Sequence, residues 1–173
     1  MKIIAIRHTS VENPTGICYG QLDIPLAETF PNEADKVREN LSKISSAASF
    51  DFYSSPAQRC IKLAKHLSKL EKVQIESAIC EMHFGNWQGR RWENIDRQET
   101  ELWIKDMVAH APPNGESFIQ LIKRVEEFLT KLSKPSILIT HAGVLHAIRV
   151  IKLGYSKEET IKKSVAYGEI IEA

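Results

Sequence analysis

Ile3-Ile4-Ala5-Ile6-Arg7-His8-Thr9-Ser10 opens with an apolar run that stops on a guanidinium and an imidazole. A short, unbroken apolar run rich in β-branched residues reads as a buried parallel strand. Ile137-Leu138-Ile139-Thr140 repeats the pattern and stops at His141, followed by Ala142-Gly143. Between them, Ser54-Ser55-Pro56-Ala57-Gln58-Arg59 again follows a short apolar stretch. Ligands of open parallel sheets bind at the carboxyl ends of strands. Arg7, His8, Arg59 and His141 at three such ends would form a cationic pocket containing a nucleophile. That chemistry suits a phosphate.

Working outward, short apolar runs alternate with longer stretches of helical period, which predicts an α/β fold with a mostly parallel sheet. The strand candidates are 2–7, 51–54, 73–77, 136–140 and 168–172. Ala34, Val37, Leu41 and Ile44 make an apolar stripe in 32–44, as do Ile61, Ala64, Leu67 and Leu70 in 57–70. Ser55 is the expected N-cap of that second helix, with Pro56 in its first turn. A third stripe runs through 117–132, started by Ser117 or Asn114. An apolar helix over 143–153 follows His141, and Ser156 caps a short helix reaching about 163. Residues 82–115 break the pattern: they hold Trp87, Trp92 and Trp103, a charged stretch and Pro112-Pro113-Asn114-Gly115. A connection of that length is commonly functional, and we read it as a small helical cap over the strand ends. The alternative is a plain connection whose tryptophans only pack. The expected architecture is one domain over 1–173, a three-layer sandwich of a mostly parallel central sheet flanked by helices.

Composition narrows the function. A chain of 173 residues with 43% hydrophobic and 26% charged side chains is expected to be one soluble globular domain. A formal net charge of +1 makes no electrostatic case for nucleic acid or a membrane surface. The first apolar run is too short for a signal peptide, and none approaches the ~18 residues of a membrane span. Cys18, Cys60 and Cys80 are odd in number and form no C-x-x-C, which fits a reduced cytoplasmic protein with inert thiols. His141 and His146 are five apart and no His-Glu-x-x-His is present, so zinc chemistry is poorly supported. His66 and His110 read as surface helix residues. Neither a Gly-x-x-x-x-Gly-Lys loop nor a Cys-x5-Arg cysteine-phosphatase pattern occurs.

Four ordered blocks identify a family. Arg7-His8-Thr9, Ser54-Ser55-Pro56-x-x-Arg59, Glu81-Met82-His83-Phe84-Gly85-Asn86-Trp87-x-Gly89 and Thr140-His141-Ala142-Gly143 resemble the histidine phosphatase superfamily. They run from residue 2 to about 149. Cys18-Tyr19-Gly20-Gln21-Leu22-Asp23-Ile24-Pro25-Leu26 looks most like the α-ribazole phosphatase branch. Thr9, where most members carry Gly, agrees with that branch. Ala142, where many carry Gly, adds one methyl group near the phosphate.

The resemblance implies a phosphomonoesterase with a phosphohistidine intermediate. His8 would be the nucleophile, and its second ring nitrogen must be held as a donor to keep the attacking lone pair. Arg7 and Arg59 would clamp the phosphoryl oxygens, with His141 as a further protonated or donating group. Glu81 matches the general acid, its pKa raised by burial beneath the cap. His83 stays unassigned. Loop 14–26, with Pro14, Thr15, Gly16, Tyr19 and Gly20, is expected to fold over phosphate and ribose, and Ala142 to border the phosphate. The implied partner is a small phosphorylated substrate, with α-ribazole 5′-phosphate in cobalamin lower-ligand assembly foremost; no cofactor is implied. Alternatives are a broad-specificity phosphatase, a phosphoglycerate mutase-like enzyme, and a non-catalytic phospho-ligand binder. A mutase is disfavoured because Lys105 to Ser117 contains no Arg to grip a carboxylate.

Overall fold

The N-terminal apolar run forms strand β1 (Ile3–Arg7), which pairs in parallel with β4 (Ser136–Thr140). The computed structural model describes residues 1–13, 15–44, 50–68 and 72–173. Strands β2 (Asp51–Ser54), β3 (Val73–Ile75) and β5 (Ile170–Glu172) complete a sheet of order β3-β2-β4-β1-β5. Only β5 runs antiparallel, against β1.

Successive side chains of a strand face opposite ways, and this alternation builds three layers. Ile3, Ala5 and Leu138 pack against α4 (Phe118–Leu129) and α5 (Ala142–Leu153). Ile4, Ile6, Ile137 and Ile139 pack against α1 (Phe30–Ile44) and α2 (Gln58–Ser68). Every residue of β4 is buried, which is why its sequence is apolar rather than alternating. Helix α4 begins with a capping box, in which Ser117 accepts from the Gln120 N–H and the Gln120 side chain accepts from the Ser117 N–H. Its stripe buries Leu121 and Val125 completely; truncating Leu121 to Ala is expected to cost about 2–5 kcal/mol.

The expected elements are present with adjusted ends. β3 stops at Ile75, because Glu76 caps a single 3-10 turn, Ser77–Ile79, by accepting from the Ala78 N–H. Helix α1 starts at Phe30, two residues before the expected 32. Ser156 does cap α6 (Lys157–Thr160), which ends before 163. Ser55 does not cap α2. The helix begins at Gln58, whose N–H donates at 2.8 Å to Oδ1 of the distant Asp23, and the Ser55 hydroxyl turns towards His141. Pro14 and Leu70 lie outside the described residues.

Residues 82–115 contain two 3-10 turns (Gly85–Trp87 and Trp92–Asn94) and one α-helix, α3 (Arg97–Lys105), N-capped by Asp96. Trp87 is fully buried and its indole N–H donates to Glu99 at 2.7 Å. Its ring centroid lies 5.7 Å from that of Trp103, and Trp103 lies 6.1 Å from Phe84. Trp87 thus serves packing, whereas Trp92 remains 42% exposed. His110 is exposed and follows the turn after α3 instead of lying on a helix, while His66 on α2 pairs with Asp35 at 2.9 Å.

Candidate active site

Sheet register brings the site together. Arg7 stands opposite Thr140, and Ser54 opposite Ile139, so His8, His141 and Ser55 each leave the sheet at one level. The ladder continues one residue further through His8 N to Thr140 O at 2.9 Å and Ser55 N to Ile139 O at 3.0 Å. All three residues are buried.

His8 Nδ1 lies 2.7 Å from its neighbour's carbonyl, Thr9 O. A carbonyl only accepts, so Nδ1 carries the proton and Nε2 keeps its lone pair. Arg59 Nε donates to that Nε2 at 3.3 Å. Burial, reinforced by the Arg59 charge, lowers the His8 pKa to about 3, which keeps the ring neutral. The ring of His141 is centred 5.2 Å away, almost edge-on.

Arg59, fully buried on α2, ties the two imidazoles together. Its Nη2 donates to His141 Nδ1 at 3.3 Å and to Gly20 O at 2.7 Å, and Nη1 donates to Leu22 O at 2.7 Å. His141 then holds its proton on Nε2, which donates to Ser55 Oγ at 2.8 Å. Burial and the neighbouring His8 and Arg59 push its pKa well down, so His141 is neutral, and its one N–H is directed at Ser55.

Loop 15–26 acts mainly through Arg59. Gly20 has φ +45°, and a Cβ there would lie 2.5 Å from Gln88 Oε1. Its close approach is to the 82–115 segment, and its carbonyl grips the guanidinium. Tyr19 is half-buried, with the Arg59 guanidinium 5.1 Å from its ring centre. Thr15 is exposed in a turn and makes no hydrogen bond to the other site residues among the described residues.

Arg7 is half-buried. One of its terminal nitrogens donates to Val165 O, and Tyr167 lies flat beneath it, 3.9 Å from guanidinium carbon to ring centre. Tyr167 also lies 5.6 Å from the His8 ring. Sequence reasoning missed Tyr167, although a signal existed: an antiparallel last strand beside β1 returns the residues before 170 to the Arg7 end.

Glu81 is half-buried. Oε1 accepts from Met82 N at 2.9 Å and from Gly143 N, in the first turn of α5, at 3.1 Å. Desolvation raises its pKa and outweighs those two N–H groups and the Arg7 and Arg59 charges. Arg124 of α4, also missed, holds the approach to Glu81 by donating to the carbonyls of Ala78, Cys80 and Glu81 at 2.7, 3.0 and 3.1 Å. Its ion pair with Glu116 at 2.6 Å fixes the guanidinium, and Glu116 accepts the His83 N–H. His83 thus contributes its backbone here, with Nδ1 accepting from Gly85 N at 3.3 Å. Ala142 and Gly143 border a cavity that Glu81 also lines. Among the described residues no group of three or more His, Cys, Asp or Glu side chains is arranged to hold a metal ion, and no helix is long and apolar enough to cross a membrane.

Known proteins share this arrangement of chain. The chain is 28% identical over 175 residues to the adenosylcobalamin/alpha-ribazole phosphatase of Escherichia coli, covering 91% of this chain and 82% of that one. It is equally 28% identical over 187 residues to a 2,3-bisphosphoglycerate-dependent phosphoglycerate mutase of Bartonella bacilliformis, covering 96% and 88%. The crystal structure of the alpha-ribazole phosphatase of Shigella flexneri superposes with a TM-score of 0.86 at 24% identity, covering 99% and 89%, and shares the fold. The family model of the histidine phosphatase superfamily (branch 1) matches residues 3–172, so the chain belongs to that superfamily of phosphatases and mutases.

Proposed function

We propose that the protein is a phosphomonoesterase that works through a phosphohistidine on His8, with α-ribazole 5′-phosphate as its substrate. The observation that carries this reading is the His8 bond to Thr9 O, which leaves a neutral ring with its Nε2 lone pair facing Arg59. A phosphoryl group entering between Arg7 and Arg59 takes over donors that Arg59 otherwise gives to the imidazoles. Its oxygens are then held by forked cations while Nε2 attacks phosphorus. The bond from phosphorus to the ester oxygen breaks, and Glu81, whose raised pKa favours the protonated form, gives the leaving oxygen its proton. In the second half Glu81 removes a proton from water, which attacks phosphorus and frees His8 and inorganic phosphate.

The choice of ester rests on likeness to α-ribazole phosphatases and on the Arg7-His8-Thr9 and Cys18-to-Leu26 segments. The 82–115 segment then acts as the substrate-selecting cap of a single domain, with Tyr19 near the ribose. The three free cysteines support a cytoplasmic setting, and the α-ribazole reading carries with it a role in cobalamin lower-ligand assembly.

A kcat/KM panel of α-ribazole 5′-phosphate, 3-phosphoglycerate and sugar phosphates tests the substrate. Equal values would remove the α-ribazole assignment and leave a generalist. Trapping the phosphoenzyme tests the chemistry. His8→Ala should abolish an acid-labile, base-stable label together with turnover, and a label persisting in that variant would reject His8.

A further inference from the structure

Beside Glu81 lies a cavity of about 190 Å³, walled largely by Met82, Phe84, Trp103, Met107 and Phe118. Resting on the phosphomonoesterase reading above, we propose that this cavity receives the group attached to the leaving oxygen, and that the part of that group it buries is an uncharged aromatic ring.

Position gives the first argument. The acid that protonates a leaving oxygen must lie within hydrogen-bond reach of it. What that oxygen carries therefore begins at Glu81, and the cavity is lined by Glu81 and by Gly143, whose N–H holds the Glu81 carboxyl. Charge gives the second. None of the lining residues is Lys or Arg, and the titratable ones are Glu81 and His146. His146, on α5, meets Thr160 Oγ1 at 3.4 Å through Nδ1, and burial lowers its pKa to about 4, so it is neutral at neutral pH. A leaving group bearing a carboxylate would lose its hydration there and meet a carboxyl instead of a cation. Size gives the third. A cavity of roughly 150 Å³ lined by aliphatic and aromatic side chains holds benzene. This one takes a substituted ring or a fused flat heterocycle, against sulfur and ring edges suited to π-faces.

The test uses the purified full chain and three phosphomonoesters: benzyl phosphate, ethyl phosphate and phosphoglycolate. The expected order of kcat/KM is benzyl first by about tenfold or more over ethyl, from burial of the ring, with phosphoglycolate last. Met107→Lys, at a half-buried rim position, places a cation at the cavity. It should lower the benzyl-to-phosphoglycolate ratio by about tenfold or more. Equal kcat/KM for the three esters would overturn the cavity assignment while leaving the phosphatase reading standing. So would a wild-type preference that Met107→Lys does not move. Absence of phosphate release from these esters and from p-nitrophenyl phosphate would overturn the phosphatase reading and this assignment with it.

Discussion

Glu81 Oε1 lies 3.1 Å from the Gly143 amide nitrogen, and a Cβ added at Gly143 would sit 2.4 Å from the same oxygen. The expected acid therefore depends on a glycine sixty-two positions later, two residues beyond the buried His141.

Gly143→Ala should displace the Glu81 carboxyl without touching Arg7 or His8. A misplacement of about 1 Å in a catalytic group costs on the order of 10²-fold, so kcat for alkyl phosphates should fall by about that factor with KM little changed. Steady-state kinetics reads this directly. A loss confined to KM would mean that Gly143 serves binding and not the acid.

Glu81→Gln should slow alkyl phosphates by about 10²–10⁴-fold, and p-nitrophenyl phosphate far less because nitrophenolate barely needs a proton. The same variant should be more stable than the wild type at neutral and alkaline pH. Burial raises the Glu81 pKa, so the folded state binds that proton more tightly than the unfolded chain. Ionisation then weakens folding as pH rises from the ordinary carboxylate range through the raised value. Urea midpoints of both proteins across that range check the sign.

His8, His141 and His146 all have lowered pKa values, His8 to about 3 and His146 to about 4. The unfolded chain protonates such groups from about pH 6.5 downward while the folded state resists. Their contribution is fully present above that value and is lost as pH falls towards the folded values. Thermal midpoints should decline over that window, and His146→Gln should flatten the decline. The acid limb of kcat/KM should stay flat through pH 6.5, because His8, the proposed nucleophile, remains neutral; a limb centred there would contradict its burial.

EDTA should leave kcat/KM within about twofold, since on the proposed mechanism Arg7 and Arg59 supply the positive charge that a metal ion gives metal-dependent phosphatases. Activity lost to EDTA and restored by Mg²⁺ or Zn²⁺ would show that this charge is insufficient.

Local signals located the parts. The apolar runs ending at Arg7 and Thr140 marked the central strands, because a strand buried on both faces admits few polar residues. The stripes of α1, α2 and α4 were equally plain, since one face of each must meet the sheet. Ser156 was legible as a cap, and Ser117 as one of two candidates beside Asn114, because a cap acts on its own next turn.

The misread residues were those whose partner lies far along the chain. Ser55 has the residue type and position of a cap, yet among the described residues its hydroxyl accepts from the backbone only at Ala57 N, at 3.4 Å, and also meets His141, while Asp23 takes the first N–H of α2. Tyr167 under Arg7 and Arg124 behind Glu81 carry no local pattern of their own. Arg59 was expected as a clamp for a ligand, and it also binds two imidazoles and the carbonyls of Gly20 and Leu22.

By itself the sequence determined the strands, the helices, the family and the short roster of chemical groups, because periodicity, caps and motif blocks act over a few residues. The tertiary structure alone decided which ring nitrogen of His8 and His141 carries the proton, what holds Glu81, and which apolar cavity adjoins it. Apart from the bond of His8 to its neighbour Thr9, those properties come from hydrogen bonds and desolvation between segments up to 86 residues apart, whose strength depends on distances that exist only once parallel strands fix their register.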